Sequence, residues 1–152
     1  MAPAPEPPLI VLAFDYGLRR IGVAAGNTLT RSAAPLAVVR HGPDGPDWPH
    51  LERLVREHRP GLLVVGLPYN ADGTAGELLP ATERFAAALA ARTGLPLARV
   101  DERYSSREAT AELVARRRAG TRRHRIAKQD IDSLAAALIL ERWLGGESSD
   151  RR

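Results

Sequence analysis

The sequence contains no cysteine, which excludes disulfides, thiolate catalysis and every cysteine-based zinc site. Its four histidines, His41, His50, His58 and His124, are scattered without the spacing of a metal site. A metal here would need oxygen ligands, which points to Mg²⁺ or Mn²⁺. No apolar run approaches the roughly 20 residues of a membrane-spanning helix, so no membrane association is expected. Met1 is followed by APAPEPP, which has neither the basic start nor the apolar middle of a secretory signal, and the cytoplasm is the expected compartment. Lysine is nearly absent as well: of the 22 basic residues only Lys128 is a lysine.

What is present suits one domain. With 152 residues, 44% of them hydrophobic and 26% charged, the chain can build one buried core under a solvated surface. The formal net charge is +4. The arginine-to-lysine ratio fits a genome that favours arginine codons, but the distribution of the arginines carries more information. Arg116, Arg117, Arg118, Arg122, Arg123 and Arg125 fall within the ten residues RRRAGTRRHR. That is the electrostatic footprint of a phosphate-backbone binder; a solvated loop is the plainer reading.

Residues 1–8 are rich in proline and expected to be disordered, residues 9–144 to form the domain, and 145–152 to be a flexible tail. Leu9 to Asp15 is an apolar run that reads as a buried strand, and Arg20 to Gly26 reads as a second strand paired with it. Pro35 to Arg40 is a weaker third. Leu51, Leu54 and Val55 fall at helical spacing between Trp48 and His58, and Pro60-Gly61 ends that helix. Leu62 to Gly66 is another buried strand. An alanine-rich helix from Glu77 to Thr93 tolerates Pro80 only in its first turn and closes at Gly94. Pro96 to Val100 is the fifth strand. Ser105 and Glu108 have capping-box spacing for a helix over about Ser106 to Arg118, and Asp130 to Leu144 forms the last helix. The order β-β-β-α-β-α-β-α-α describes an α/β domain with a five-stranded mixed sheet flanked by helices.

Three acidic positions stand at the ends of these core elements. Asp15 ends a buried strand, where a carboxylate must be paired, hydrogen-bonded or bound to a cation, and Gly17 beside it lets a ligand approach the backbone. A turn-forming aspartate is the plainer reading. Asp101 and Glu102 are adjacent, so in an extended chain they face opposite ways and only one serves a given site; Glu102 is the choice, with Asp101 possible. Both also suit the first turn of a following helix. Asp132 lies on a largely apolar helix, on one face with Ala135, Ala136 and Ile139. Two Mg²⁺ or Mn²⁺ ions held about 4 Å apart by such acids would clamp the attacking and leaving oxygens of a phosphodiester. The loop from Gly66 to Gly76 leaves the C-terminal end of a strand, where α/β folds bind ligands, and its Tyr69 suits stacking on a base.

The segments FDYGLRRIGVA, VVGLPYNADGTAGE, VDERYSSREA and KQDIDSLAAALIL, in that order, resemble the four motif blocks of the YqgF/RuvX family. Members of that family are described as Holliday junction resolvases and as pre-16S ribosomal RNA nucleases. The resemblance runs from Leu9 to Leu144 and implies a ribonuclease H-like fold in a bacterial cytoplasmic protein. It carries the family's acidic positions to Asp15, Glu102 and Asp132, its RIG arginine to Arg20, and its GLP…DG loop to Gly66, Leu67, Pro68, Asp72 and Gly73. Tyr104 departs from the pattern, standing where the family has leucine. Nucleic-acid contacts are assigned to Gly17, Arg20, Tyr69, Arg103, the six clustered arginines and Lys128. A four-way junction demands two sites related by symmetry, whereas maturation of the 5′ end of pre-16S RNA needs one. RNA is therefore the preferred substrate, branched DNA the alternative, and a non-catalytic ribosome-assembly module the second alternative. Both monomer and homodimer remain open.

Overall fold

Unbroken apolar runs make strands that bury both faces, and two such runs form the centre of the sheet. In the computed structural model, residues 9–68, 72, 74, 76–101 and 128–145 are described. Their elements are β1 (Ile10–Asp15), β2 (Arg20–Asn27), β3 (Ser32–Gly42), β4 (Gly45–Pro46), α1 (Trp48–His58), β5 (Leu62–Leu67), α2 (Leu79–Thr93), β6 (Leu97–Asp101) and α3 (Lys128–Leu144). The sheet has the order β4-β3-β2-β1-β5-β6. β1 runs antiparallel to β2 and parallel to β5, and β5 runs parallel to β6. This is the mixed sheet expected of a ribonuclease H-like fold, with six strands where five were expected. The extra strand is the two-residue β4, which the turn at Gly45 folds back onto His41 and Gly42. Two residues carry no periodicity, so no sequence pattern could announce it. The helix expected over Ser106 to Arg118 lies outside the described residues.

Alternation along the strands divides the interior into two layers. Leu12 and Phe14 of β1, Ile21 and Val23 of β2, and Leu63 and Val65 of β5 face α1 and α2, where Leu51, Leu54, Phe85, Ala86 and Leu89 meet them. Val11 and Ala13, with Ala24, Val64, Ala98 and Val100, face α3 and pack on Ala136, Ala137, Ile139 and Leu140. Phe85 is the hub of the first layer. Its ring lies 6.2 Å from Phe14, 5.0 Å from Tyr16 and 5.7 Å from Trp48, centroid to centroid. Arg92 closes the stack with its guanidinium 4.3 Å from the Trp48 ring centre.

The helix ends follow their sequence signals. Asp47 caps α1 by accepting a hydrogen bond from the His50 amide, and Arg59 ends it in a left-handed conformation before Pro60. α2 carries Pro80 in its first turn and ends at Gly94. Among the described residues no helix is long and apolar enough to cross a membrane. Among the described residues the outer edge of β3 is paired only at His41 and Gly42, with β4. The strand contains Pro35, and its register against β2 shifts between Val23 and Ala24.

α3 sits directly on β2 because β2 offers it glycine. A Cβ at Gly22 would collide with the Asp132 carbonyl and lie 3.0 Å from the Ser133 nitrogen, and one at Gly26 would come within 2.7 Å of Leu140 Cδ2. Gly22→Ala is therefore expected to push the first turns of α3 off the sheet. Urea denaturation should show it less stable by about 1–3 kcal/mol, the usual range for overpacking. Gly42→Ala should change stability far less, because the nearest atom to its Cβ would be 4.0 Å away.

Candidate active site

The close approach at Gly22 determines where the acids meet. Gly22 is the cross-strand partner of Asp15, and residues so paired have Cα atoms about 4.5–5.5 Å apart on one face of the sheet. Asp15 thus shares a face with Val11, Ala13 and Gly22, and Asp132 is on the helical turn resting on Gly22. The carboxylates of Asp15 and Asp132, 117 residues apart in the chain, are brought to the same end of the same sheet face.

The next residue holds Asp15 in this orientation. Tyr16 takes the opposite face, tilted on Phe85, and its hydroxyl is 3.1 Å from His41 Nε2. With Tyr16 anchored in the aromatic layer, alternation leaves Asp15 on the α3 side. At Gly17 a Cβ would lie 2.6 Å from the Arg20 carbonyl oxygen, so the β1–β2 turn itself needs the glycine.

Arg20 stands at the start of β2 on the α3 side, and its Nε donates to Asp132 Oδ2 at 2.7 Å. The side chains of Arg20 and Asp132 remain 36% and 29% exposed, so the pair sits in water-accessible surroundings and contributes little to stability. Its geometric effect is larger. The guanidinium fixes the carboxylate of Asp132 over the end of β2 and leaves Oδ1 outside that bond.

Asp101 goes elsewhere. Along β6, Ala98 and Val100 face α3, while Arg99 reaches Glu83 on α2 at 3.1 Å. Asp101 takes the Arg99 parity and so belongs to the α2 side, away from Asp15 and Asp132. Glu102, Arg103, Tyr69, Gly73 and the arginines from Arg116 to Arg125 lie outside the described residues, as does the side chain of Lys128. In the glycine-rich loop, Asp72 Oδ1 accepts hydrogen bonds from the Thr74 amide at 2.9 Å and the Thr74 hydroxyl at 2.6 Å. That is an Asx-type turn, which shapes the loop from within.

The donor chemistry suits a hard cation. Asp15 and Asp132 bring carboxylate oxygens to one partly exposed place, as Mg²⁺ and Mn²⁺ require. Among the described residues no three acidic or histidine side chains gather closely enough to hold a metal.

Residues 9–146 match the family described as "RuvX: Holliday junction resolvase". The chain belongs to the RuvX family. Its relatives include a protein of Azotobacter vinelandii named "Putative pre-16S rRNA nuclease", 46% identical over 138 residues, covering 90% of this chain and 94% of that one. A Nitrosococcus oceani protein of the same name is 43% identical over 150 residues, covering 99% of this chain and 95% of its own. Among solved structures, Thermus thermophilus RuvC in complex with Holliday junction substrate superposes with a TM-score of 0.55 at 18% identity, covering 93% of this chain and 99% of that one. The Fowlpox virus resolvase bound to junction DNA gives 0.55 at 10% identity, covering 90% and 99%. At such identities the likeness is one of fold. The RuvX chain therefore has the RuvC-like, ribonuclease H-like architecture.

Sequence reasoning missed Gly22 as a residue that shapes the site. The available signal was a glycine inside a strand, which marks a bulge or a close backbone approach. For the Arg20–Asp132 pair, a double-mutant cycle with Arg20→Gln and Asp132→Asn is expected to give a coupling under about 1 kcal/mol in thermal or urea unfolding. A coupling of several kcal/mol would assign the pair to stability instead of orientation.

Proposed function

We propose that this RuvX-family chain is a metal-dependent nuclease that matures the 5′ end of pre-16S ribosomal RNA, with Asp15, Asp132 and Glu102 as its metal-binding carboxylates. The observation that carries the reading is the seating of Asp132 on Gly22, directly across from Asp15. Two carboxylates converge there from a strand end and a helix, at the partly exposed end of one sheet face. The names of the relatives supply the substrate.

Glu102 is assigned by the resemblance of VDERYSSREA to the family's motif block, where it takes the position of the family's acid. When bound, Mg²⁺ or Mn²⁺ ions, taken here to be two, would supply activation of water and stabilisation of the departing oxygen. The chain's own residues orient the donors. Tyr16 holds Asp15 on its face, and Arg20 holds Asp132 by one oxygen while remaining exposed enough to meet a phosphate. The arginines between Arg116 and Arg125, Arg103 and Lys128 would bind the RNA backbone, and Tyr69 would stack on a base. The cytoplasm, where ribosomal precursors are processed, is the compartment this reading requires.

A second reading, cleavage of four-way DNA junctions, is favoured by the description of the family. It requires two copies presenting their sites by symmetry, whereas RNA trimming works with a monomer.

Asp15→Asn separates these readings from a binding-only role. Purified protein should cleave a pre-16S RNA fragment in Mg²⁺ and stop in EDTA. The variant should lose more than the roughly 100-fold typical of removing a group that merely orients a metal ligand, while keeping its fold by circular dichroism. Unchanged cleavage by Asp15→Asn would overturn the site. Paired nicks in a synthetic junction, with RNA left intact, would move the substrate to DNA.

A further inference from the structure

Beside the acids lies a groove of about 1280 Å³, which Arg19, Arg20 and Ser133 enter from the motif segments. It begins at Arg20 and Ser133, next to Asp132, and runs along β3 towards the start of α1. Arg19 and Arg40 line it, together with His41 and His50. Its apolar lining residues are Pro35, Leu36, Ala37 and Val38 of β3.

Three observations give this groove a ligand chemistry. Arg40 is the cross-strand partner of Arg20. Like charges directly opposite each other weaken a sheet, and only Arg20 has its charge met, by Asp132. Among the described residues neither Arg19 nor Arg40 has an acidic partner. Among the described lining residues the one acid, Asp47, already accepts from the His50 amide at the start of α1. Finally, His41 Nδ1 is buried without a hydrogen-bond partner, while its Nε2 is engaged by Tyr16. A buried polar atom left unsatisfied costs about 1–3 kcal/mol, so His41 Nδ1 has hydrogen-bonding capacity to offer at this groove.

We propose that this β3 groove binds a single-stranded RNA segment through its phosphates, with Arg19 and Arg40 as the contacts, and feeds it to the Asp15–Asp132 end. The inference rests on the RNA nuclease reading for its choice of RNA. Cations beside an apolar wall fit a strand whose unpaired bases and riboses lie on Pro35 to Val38 while its phosphates face the arginines. A duplex keeps its bases inside and could not use that wall. Among the described residues the lining holds no Phe, Tyr or Trp on which a base could stack, which favours recognition through the backbone.

The test is a binding measurement in EDTA, which needs no turnover. Fluorescence anisotropy with a labelled RNA of about 12 nucleotides, within the usual single-strand site sizes, is recorded across a salt series. Arg19→Gln/Arg40→Gln should bind several-fold more weakly than the native chain. Its slope of log K against log salt should fall by about 1.4, or 0.7 for each single-strand phosphate that is no longer neutralised. Arg53→Gln, on the exposed side of α1 beside Glu57, should leave affinity and slope unchanged, with circular dichroism melts confirming that each variant is folded. An unaltered slope in the double variant would overturn the proposal, as would an equal loss in Arg53→Gln. RNA bound at least as tightly as DNA of the same sequence supports the assignment. Tighter binding of the DNA strand, or arginine dependence seen only with duplex or four-way junction, would overturn the occupant. Failure of the native chain to cleave in Mg²⁺ would sink the nuclease reading by itself and leave the salt slopes interpretable.

Discussion

The contact on which the candidate site depends is that of a helix backbone with a strand backbone. Where Gly22 meets the Asp132 carbonyl, no side chain intervenes, so α3 is held nearer the sheet there than packed side chains would permit. Antiparallel pairing then does the rest, because the residue opposite Gly22 is Asp15. The two carboxylates are placed by main-chain geometry, the least deformable part of the protein. Neither relies on a long flexible side chain to find the other.

The opposite face of the sheet serves the same end by different means. There the aromatic layer around Phe85 receives Tyr16, whose hydroxyl meets His41 from β3. A strand end is ordinarily free to twist, and a functional residue on it would lose its aim. Here the residue just after Asp15 is bound into a stack that extends through Phe85 to Trp48 and Arg92. β6 repeats the separation: Arg99 pairs with Glu83 on the aromatic side, while Ala98 and Val100 make the surface under α3. Side-chain alternation therefore divides the charged residues between a structural side and a chemical side.

How much of this was legible in the sequence depended on periodicity. β1 and β5 were legible as apolar runs, α1 from Leu51, Leu54 and Val55, and α2 from its proline near the start and glycine at the end. The ends of β3 were not. It extends to Ser32 and Gly42, well beyond the apolar Pro35 to Arg40, because pairing with β2 carries polar residues into the ladder. The acids at Asp15 and Asp132 could be picked out because each interrupts apolar surroundings. The face of Asp101 could be read only as a parity rule, and it needed the observed Arg99–Glu83 pair to fix which face was which. Arg19 and Arg40 could not be read as neighbours in one groove, because what they share is a place in three dimensions and no spacing along the chain.

The open edge of β3 has a bearing on how copies of this chain can associate. A long uncovered strand normally invites another chain to extend the sheet. Pro35 has no amide hydrogen to offer a newcomer, the register shift between Val23 and Ala24 disturbs the local ladder, and the Arg40 carbonyl is already taken by the Asp47 amide. Two molecules meeting edge to edge would also bring Arg40 against Arg40 or its neighbours. The β3 edge thus discourages continuation of the sheet on that side.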